Sequence, residues 1–264
     1  MGITIQEVIK TLTMPGGNSP DTVDELLAGE PGSEVTGIVT AFMPTLSIVE
    51  QAAALGTNLV VAHEMLYYAH RDGDKLHAGS NVRQEKGMRI DASGVAIYRC
   101  HDYCHRLQPD MITEGLVREL DWLPYVHKRL PHAVIVQIPP ATLKEAAEHI
   151  KARLGVAFLR AMGDPSTLCR RIGVLAGFRG QAQFIIPMFE EEQLDLVLYG
   201  EGFEWETPEY VRDSLYLGEK RALLALGHAE SEEAGMSALA DHLRLQFPGI
   251  PVHFIKEKPL FTVM

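Results

Sequence analysis

The feature that most constrains this chain is a recurrence of short apolar runs, each of strand length and each breaking off abruptly into polar residues. Residues 35–41 and 58–62 are two such runs. Between them residues 46–55 carry helical spacing, closed by Gly56 where a left-handed C-terminal cap is favoured. Strand, short helix, strand is the grammar of a parallel sheet, because parallel neighbours need a crossover. Residues 94–98 form a third run. An opening helix is predicted over 3–12, stopped by Pro15, Gly16 and Gly17, with further helices around 82–88 and over 111–120.

The second half repeats the alternation. Strands are predicted at 132–138, 171–175, 194–198, 222–226 and 252–255, and helices at 143–154, 208–217 and 232–245. The proline-punctuated segment 123–131 is the natural lobe boundary. The expectation is an α/β fold of two repeats, roughly 1–125 and 126–264, within one unit of 264 residues. The shared grammar suggests structural duplication, without a residue-level repeat.

Composition narrows the class. A hydrophobic share of 46% supports a sizeable core. The net charge of −11 argues against a nucleic-acid backbone as the main partner. Three cysteines do not make a disulfide framework. No apolar run reaches membrane-spanning length, and the opening residues lack the pattern of a secretory signal. A cytoplasmic protein is expected, with no membrane partner.

Four polar clusters each follow a predicted strand: His63-Glu64, the segment from Cys100 to His105, Glu201, and Gly227 to Glu232. In open α/β sheets ligands bind beyond the carboxyl ends of the strands, so these segments are delivered to that edge. His228 and Glu232 are four apart and share a face if a helix begins there. The competing reading is a helix N-terminus whose acidic residues favour the dipole. His101 and His105 would share one face of a helical turn and Cys100 and Cys104 the next. The histidines are the better candidate ligands and the cysteines the better packing residues, with thiolate ligation left open. The remaining histidines, His70 among them, have no comparable setting. Gly173, Gly177 and Gly180 do not match a dinucleotide-binding glycine pattern, and no nucleophile elbow or P-loop is present.

In VVAHEMLYY, IYRCHDYCH, LVLYGE and GHAESE the chain resembles the NGG-interacting-factor-like family, whose members are often called type 2 GTP cyclohydrolase I. The resemblance runs from Val35 to Leu245 in order and spacing, and GHAESE is its closest stretch. It implies two intertwined α/β repeats with mixed, largely parallel sheets, a toroidal homohexamer, and a pair of metal ions held by two adjacent histidines, an aspartate, and a C-terminal His and Glu. Position by position, His63 matches the first histidine and Glu64 stands where the second belongs. His101 matches the histidine of the next motif and His105 stands where its aspartate belongs. His228 and Glu232 match directly. A His-to-Glu exchange is thus offset by an Asp-to-His exchange.

The expected ligands are therefore His63, Glu64, His101, His105, His228 and Glu232. Such a set suits two divalent ions of zinc, iron or manganese. Glu201 and Asp102 are candidates for a general base, or for holding a ligating imidazole through its other nitrogen. The expected activity is metal-dependent hydrolysis of a small nucleotide-like or cyclic amide substrate. The alternative is a non-catalytic metal-binding or partner-binding ring.

Overall fold

The structure is a computed structural model and describes residues 2–14, 20–71, 78–262 and 264. The helix stop at Pro15, Gly16 and Gly17 lies outside the described residues, as does His77. In chain order the elements are α1 (Ile5–Thr13), β1 (Leu26–Ala28), β2 (Ile38–Ala41), α2 (Leu46–Ala54), β3 (Leu59–Ala62), α3 (Asn81–Ser93), β4 (Ala96–Arg99), α4 (Asp102–Arg106) and α5 (Met111–Glu119). There follow β5 (Val126–Leu130), β6 (Ala133–Thr142), α6 (Leu143–Leu154), β7 (Arg160–Met162), β8 (Leu168–Leu175) and α7 (Ala182–Glu192). The chain closes with β9 (Leu196–Tyr199), α8 (Thr207–Tyr216), β10 (Ala222–Ala225), α9 (His228–Gln246) and β11 (Val252–Phe254).

The chain forms two compact units. Met1–Met111 and Met236–Lys258 make one, and Ile112–Gly235 with Pro259–Met264 make the other. The division falls at Met111, ahead of the proline-punctuated segment, and Met236–Lys258, which carries β11, returns to the first unit.

The first unit holds a five-stranded sheet in the order β1-β4-β3-β2-β11. All its ladders are parallel except that of β1 with β4. Strands β2, β3 and β4 are buried along their whole length, as parallel strands covered on both faces must be. Alternate residues Val39, Ala41, Val60, Ala62 and Ile97 meet Ile48, Val49 and Ala52 of α2 and Ile90 of α3 in one core. Register sets Ala41 beside Ala62 and Ala62 beside Arg99, so the strands end level. His63 and Cys100 therefore leave the sheet side by side.

The second unit holds a six-stranded mixed sheet, β5-β6-β8-β9-β10-β7. Its parallel strands also end level, with Leu175 beside Tyr199 and Tyr199 beside Ala225. One core joins Leu175, Val197 and Leu223 to Ile185, Met188 and Phe189 of α7 and Val211 of α8. The fold class expected from the sequence, α/β with mixed and largely parallel sheets, is the one observed. Sequence spacing gave α6 to the residue. Thr142 and Glu145 close a reciprocal capping box at its start, and Gly155 ends it in the left-handed region at φ 66°.

Five elements went unread, the three-residue strand β1 among them. Strand β7 is three residues long and mostly exposed, and β5 is a charged edge strand. Helix α4 has five residues, too few for a periodicity. Helix α7 carries Pro187 in its interior, which argues against a helix locally. Its existence was nonetheless required, since β8 and β9 are parallel and need a crossover. Among the described residues no helix is long and apolar enough to cross a membrane.

Candidate metal centre

In the first unit, β3 delivers His63-Glu64 and β4 delivers Cys100-His101, with His105 one turn into α4. The backbone at the start of α4 is fixed from a distance. The Asp24 carboxylate accepts the N–H groups of His101, Asp102 and Tyr103 at 2.8, 2.8 and 2.9 Å. It thereby supplies the helix with the N-terminal acceptor that His101, which makes no side-chain cap hydrogen bond, does not provide.

Three imidazoles gather here. The rings of His63 and His101 stack at 4.6 Å, and His105 stands edge-on to both at 5.0 Å. One donor atom from each lies within 4.8 Å of the others. His63 is fully buried, and the side chains of His101 and His105 are 17% and 14% exposed.

Each ring is held through Nδ1. The His63 Nδ1 faces the Cys100 carbonyl oxygen at 3.2 Å, His101 Nδ1 faces Asp102 Oδ1 at 2.9 Å, and His105 Nδ1 faces Asp110 Oδ2 at 3.1 Å. An oxygen acceptor at Nδ1 selects the tautomer in which, for a neutral ring, Nε2 carries the lone pair. Burial presses His101 down to about 4, against the raising effect of Asp102, so the ring is neutral at pH 7. The hydrogen bond with His101 holds Asp102 well below the usual carboxylate range.

Glu64 is placed differently from a free ligand. Its Oε2 accepts from Arg99 Nη2 at 2.8 Å, and Oε1 faces His101 Nε2 at 3.8 Å. Burial disfavours its charge, yet His70, His63, His101 and Arg99 outweigh that and hold it at about 2. Arg99 is wholly buried and also donates to the carbonyl oxygens of His63 and His70, at 3.4 and 2.8 Å. His70, which showed no special setting in the sequence, packs against His101 with ring centres 5.0 Å apart. Glu64, His70 and His101 form a second group of suitable donors. However, His70 Nδ1 lies 3.0 Å from Arg99 Nη2 and accepts its proton, the reverse of the pattern in the other three rings. Beside the cluster lies a cavity of about 180 Å³ lined by Thr22, Glu25, His70, Arg71 and Arg99.

In the second unit α9 begins at His228, so the helical spacing of His228 and Glu232 is realised. His228 Nε2 lies 3.3 Å from Glu232 Oε2, and its Nδ1 lies 2.9 Å from Glu201 Oε2. Glu232 is buried. Glycine makes this approach feasible: at Gly177, with φ +68°, a Cβ would fall 2.0 Å from Glu232 Oε1. The Gly177 N–H donates to Ser231 Oγ and that of Gly180 to the Glu201 carbonyl oxygen, both at 2.8 Å. These glycines therefore serve close packing, and those two amides are already satisfied.

Both carboxylates singled out as catalytic candidates, Asp102 and Glu201, contact the Nδ1 of an imidazole. Arg99, Asp24, Asp110 and His70 were missed. Only Arg99 carried a signal, as an arginine closing a strand otherwise fit for full burial.

The family described as Duf34/NIF3 (NGG1p interacting factor 3) matches residues 21–259. A Lactococcus lactis protein named GTP cyclohydrolase 1 type 2 homolog is 24% identical over 243 residues, 88% of this chain and 87% of that protein. A protein of the same name from Streptomyces coelicolor is 26% identical over 164 residues, which span 57% of this chain and 56% of that relative. The crystal structure of the Staphylococcus aureus hypothetical protein SA1388 superposes with a TM-score of 0.78 at 15% identity, covering 100% of this chain and 99% of the other. At that identity the likeness concerns the fold.

Proposed function

This chain belongs to the Duf34/NIF3 family, and on that premise we propose that it binds divalent metal through the imidazoles of His63, His101 and His105, with His228 and Glu232 as a further ligand pair. One observation carries the reading. Four histidines, His63, His101, His105 and His228, have Nδ1 set against an oxygen acceptor. That is how proteins fix the tautomer and aim of a metal-ligating histidine. A donor set of imidazoles and carboxylates suits zinc, iron or manganese better than magnesium or calcium.

Two ions per chain is the stoichiometry proposed. When bound, they supply Lewis acidity toward water and a polar substrate oxygen. Asp102, Asp110 and Glu201 act as positioning residues: each holds an imidazole at Nδ1 and leaves Nε2 as the nitrogen that would ligate an ion. Glu64, neutralised by Arg99, adds a carboxylate oxygen at the edge of the same cluster. The activity proposed is hydrolysis of a small nucleotide-like or cyclic amide substrate, by a homohexamer as in the resemblance that the sequence carries. The names of the two relatives support that class.

The burial of His63, His101 and His105 favours a second reading, a metal-binding ring without turnover, since so closed a cluster leaves a substrate little room.

Elemental analysis of protein purified without chelator tests the first claim. Stoichiometric zinc, iron or manganese, lost in His101→Ala and His105→Ala, is expected. Metal content unchanged by both substitutions would refute it. Asp110→Asn is expected to weaken zinc binding about 10- to 100-fold while the fold survives. Metal-loaded protein is then assayed against GTP, phosphoesters and cyclic amides, and full occupancy with no turnover selects the second reading. Light scattering reads the oligomer.

A further inference from the structure

Metal ligation through histidine leaves the Cys100 and Cys104 thiols outside the ligand set, packed in the core beside it. Their sulfurs lie 3.3 Å apart, both are free thiols, and they are 1% and 2% exposed. Cys100 is the first residue beyond β4, and Cys104 lies within α4. A disulfide requires about 2.05 Å between sulfurs, so closure needs a movement of only about 1.3 Å from the separation present. We propose that Cys100 and Cys104 are a reversible dithiol–disulfide pair whose oxidation disturbs the imidazole cluster and loosens its hold on metal.

The coupling follows from chain connectivity. His101 directly follows Cys100 and His105 directly follows Cys104, so two of the three clustered rings ride on the segment the disulfide would tighten. That segment cannot shift as a rigid body. The Asp24 carboxylate holds the amides of residues 101, 102 and 103, and the His105 N–H donates to the His101 carbonyl oxygen at 3.3 Å. Drawing the sulfurs together with these amides anchored must be absorbed by the flanking side chains and the first turn of α4.

The oxidant is hydrogen peroxide, small enough for a pair this buried. One thiol gives its sulfur to the terminal peroxide oxygen, forming a sulfenic acid and releasing water. The second sulfur then displaces that oxygen as a second water, forming the S–S bond. Two thiols lose two protons and two electrons in all, and hydrogen peroxide takes them up as two waters. A dithiol reductant reverses the step. The effect on metal rests on the function proposed above, whereas disulfide formation stands apart from it.

The test uses the full chain, treated with hydrogen peroxide and then denatured and labelled with maleimide. Loss of the mass of two hydrogens, label on Cys169 alone, and restoration by dithiothreitol are expected. No such species, or only intermolecular crosslinks, overturns the pair. Zinc affinity is then compared between reduced and oxidised protein, with Cys104→Ser as the peroxide-insensitive control. About tenfold weaker binding in the oxidised form is expected, on the scale of losing support for one ligand. Equal affinities overturn the coupling. If the reduced protein binds no zinc yet the mass loss occurs, the function reading fails while the redox pair stands.

Discussion

Arg99 and Glu64 show how one buried charge reorganises its surroundings. The guanidinium has no exposed surface and spends its protons on Glu64, His70 and two backbone carbonyls. Arg99→Met is expected to cost about 3 kcal/mol in urea unfolding, because the part-buried Glu64 carboxylate loses its guanidinium donor and keeps only the more distant His70 and His101. Adding Glu64→Leu should recover most of that, and a double-mutant cycle measures the difference. The pair also bears on the charge balance of the ligand set read from sequence. The negative charge that Glu64 brings is countered by Arg99, so its exchange for histidine does not simply offset the Asp-to-His exchange at His105. An ion pair joining residues 35 apart has no sequence signature, which is why the partner of Glu64 was invisible.

His101 gives the pH dependence its sign. Its folded pKa of about 4 lies below the ordinary 6.5, so the unfolded chain takes up the proton first as the pH falls. The stability it contributes is complete above pH 6.5 and is lost as the pH falls through that value toward 4. Chelator-treated protein should be about 2 kcal/mol less stable at pH 5 than at pH 7.5 from this group alone, read by urea titration at the two pH values. Glu64, held at about 2 rather than 4.5, adds a second loss below pH 4.5. A His101→Gln variant should flatten the first window and keep the second.

At the scale of elements, the level strand ends do the positioning. A slip of one residue in either ladder would turn His63 or Cys100 to the opposite face. That positioning was legible in the sequence because β3 is apolar up to its break at His63 and β4 is buried and largely apolar up to Arg99. The close approach of α9 to its neighbours was not, since it depends on which glycines face it. Gly177→Ala should strain a left-handed backbone and drive a methyl into Glu232. The expected result is a loss of at least about 1 kcal/mol and a weakened His228–Glu232 pair, the latter seen as a changed His228 ring signal in NMR. Thr142→Ala removes the side-chain half of the capping box on α6, leaves the amide of residue 142 donating to Glu145, and should cost about 1 kcal/mol without touching metal content.

At the scale of the whole molecule, the compact units are defined by contacts and not by the alternation of elements along the chain. Periodicity is local, whereas unit membership depends on pairings such as β11 with β2, whose residues lie more than 200 positions apart. The β2 strand is flanked by β3 on one side and β11 on the other. Removing residues 247–264 should therefore expose amides of β2 to hydrogen exchange while leaving those of β8 protected. Equal loss of protection in both strands would contradict the assignment of β11 to the first unit.

The return of the C-terminal segment has a consequence for how the protein is made. A ribosome delivers β2, β3 and β4 early and β11 last, after every strand of the other sheet has emerged. Throughout that interval β2 offers a bare apolar edge, the kind of edge to which other nascent chains add. The first sheet to be synthesised is thus among the last to be finished, and chaperone demand should track the delay between them.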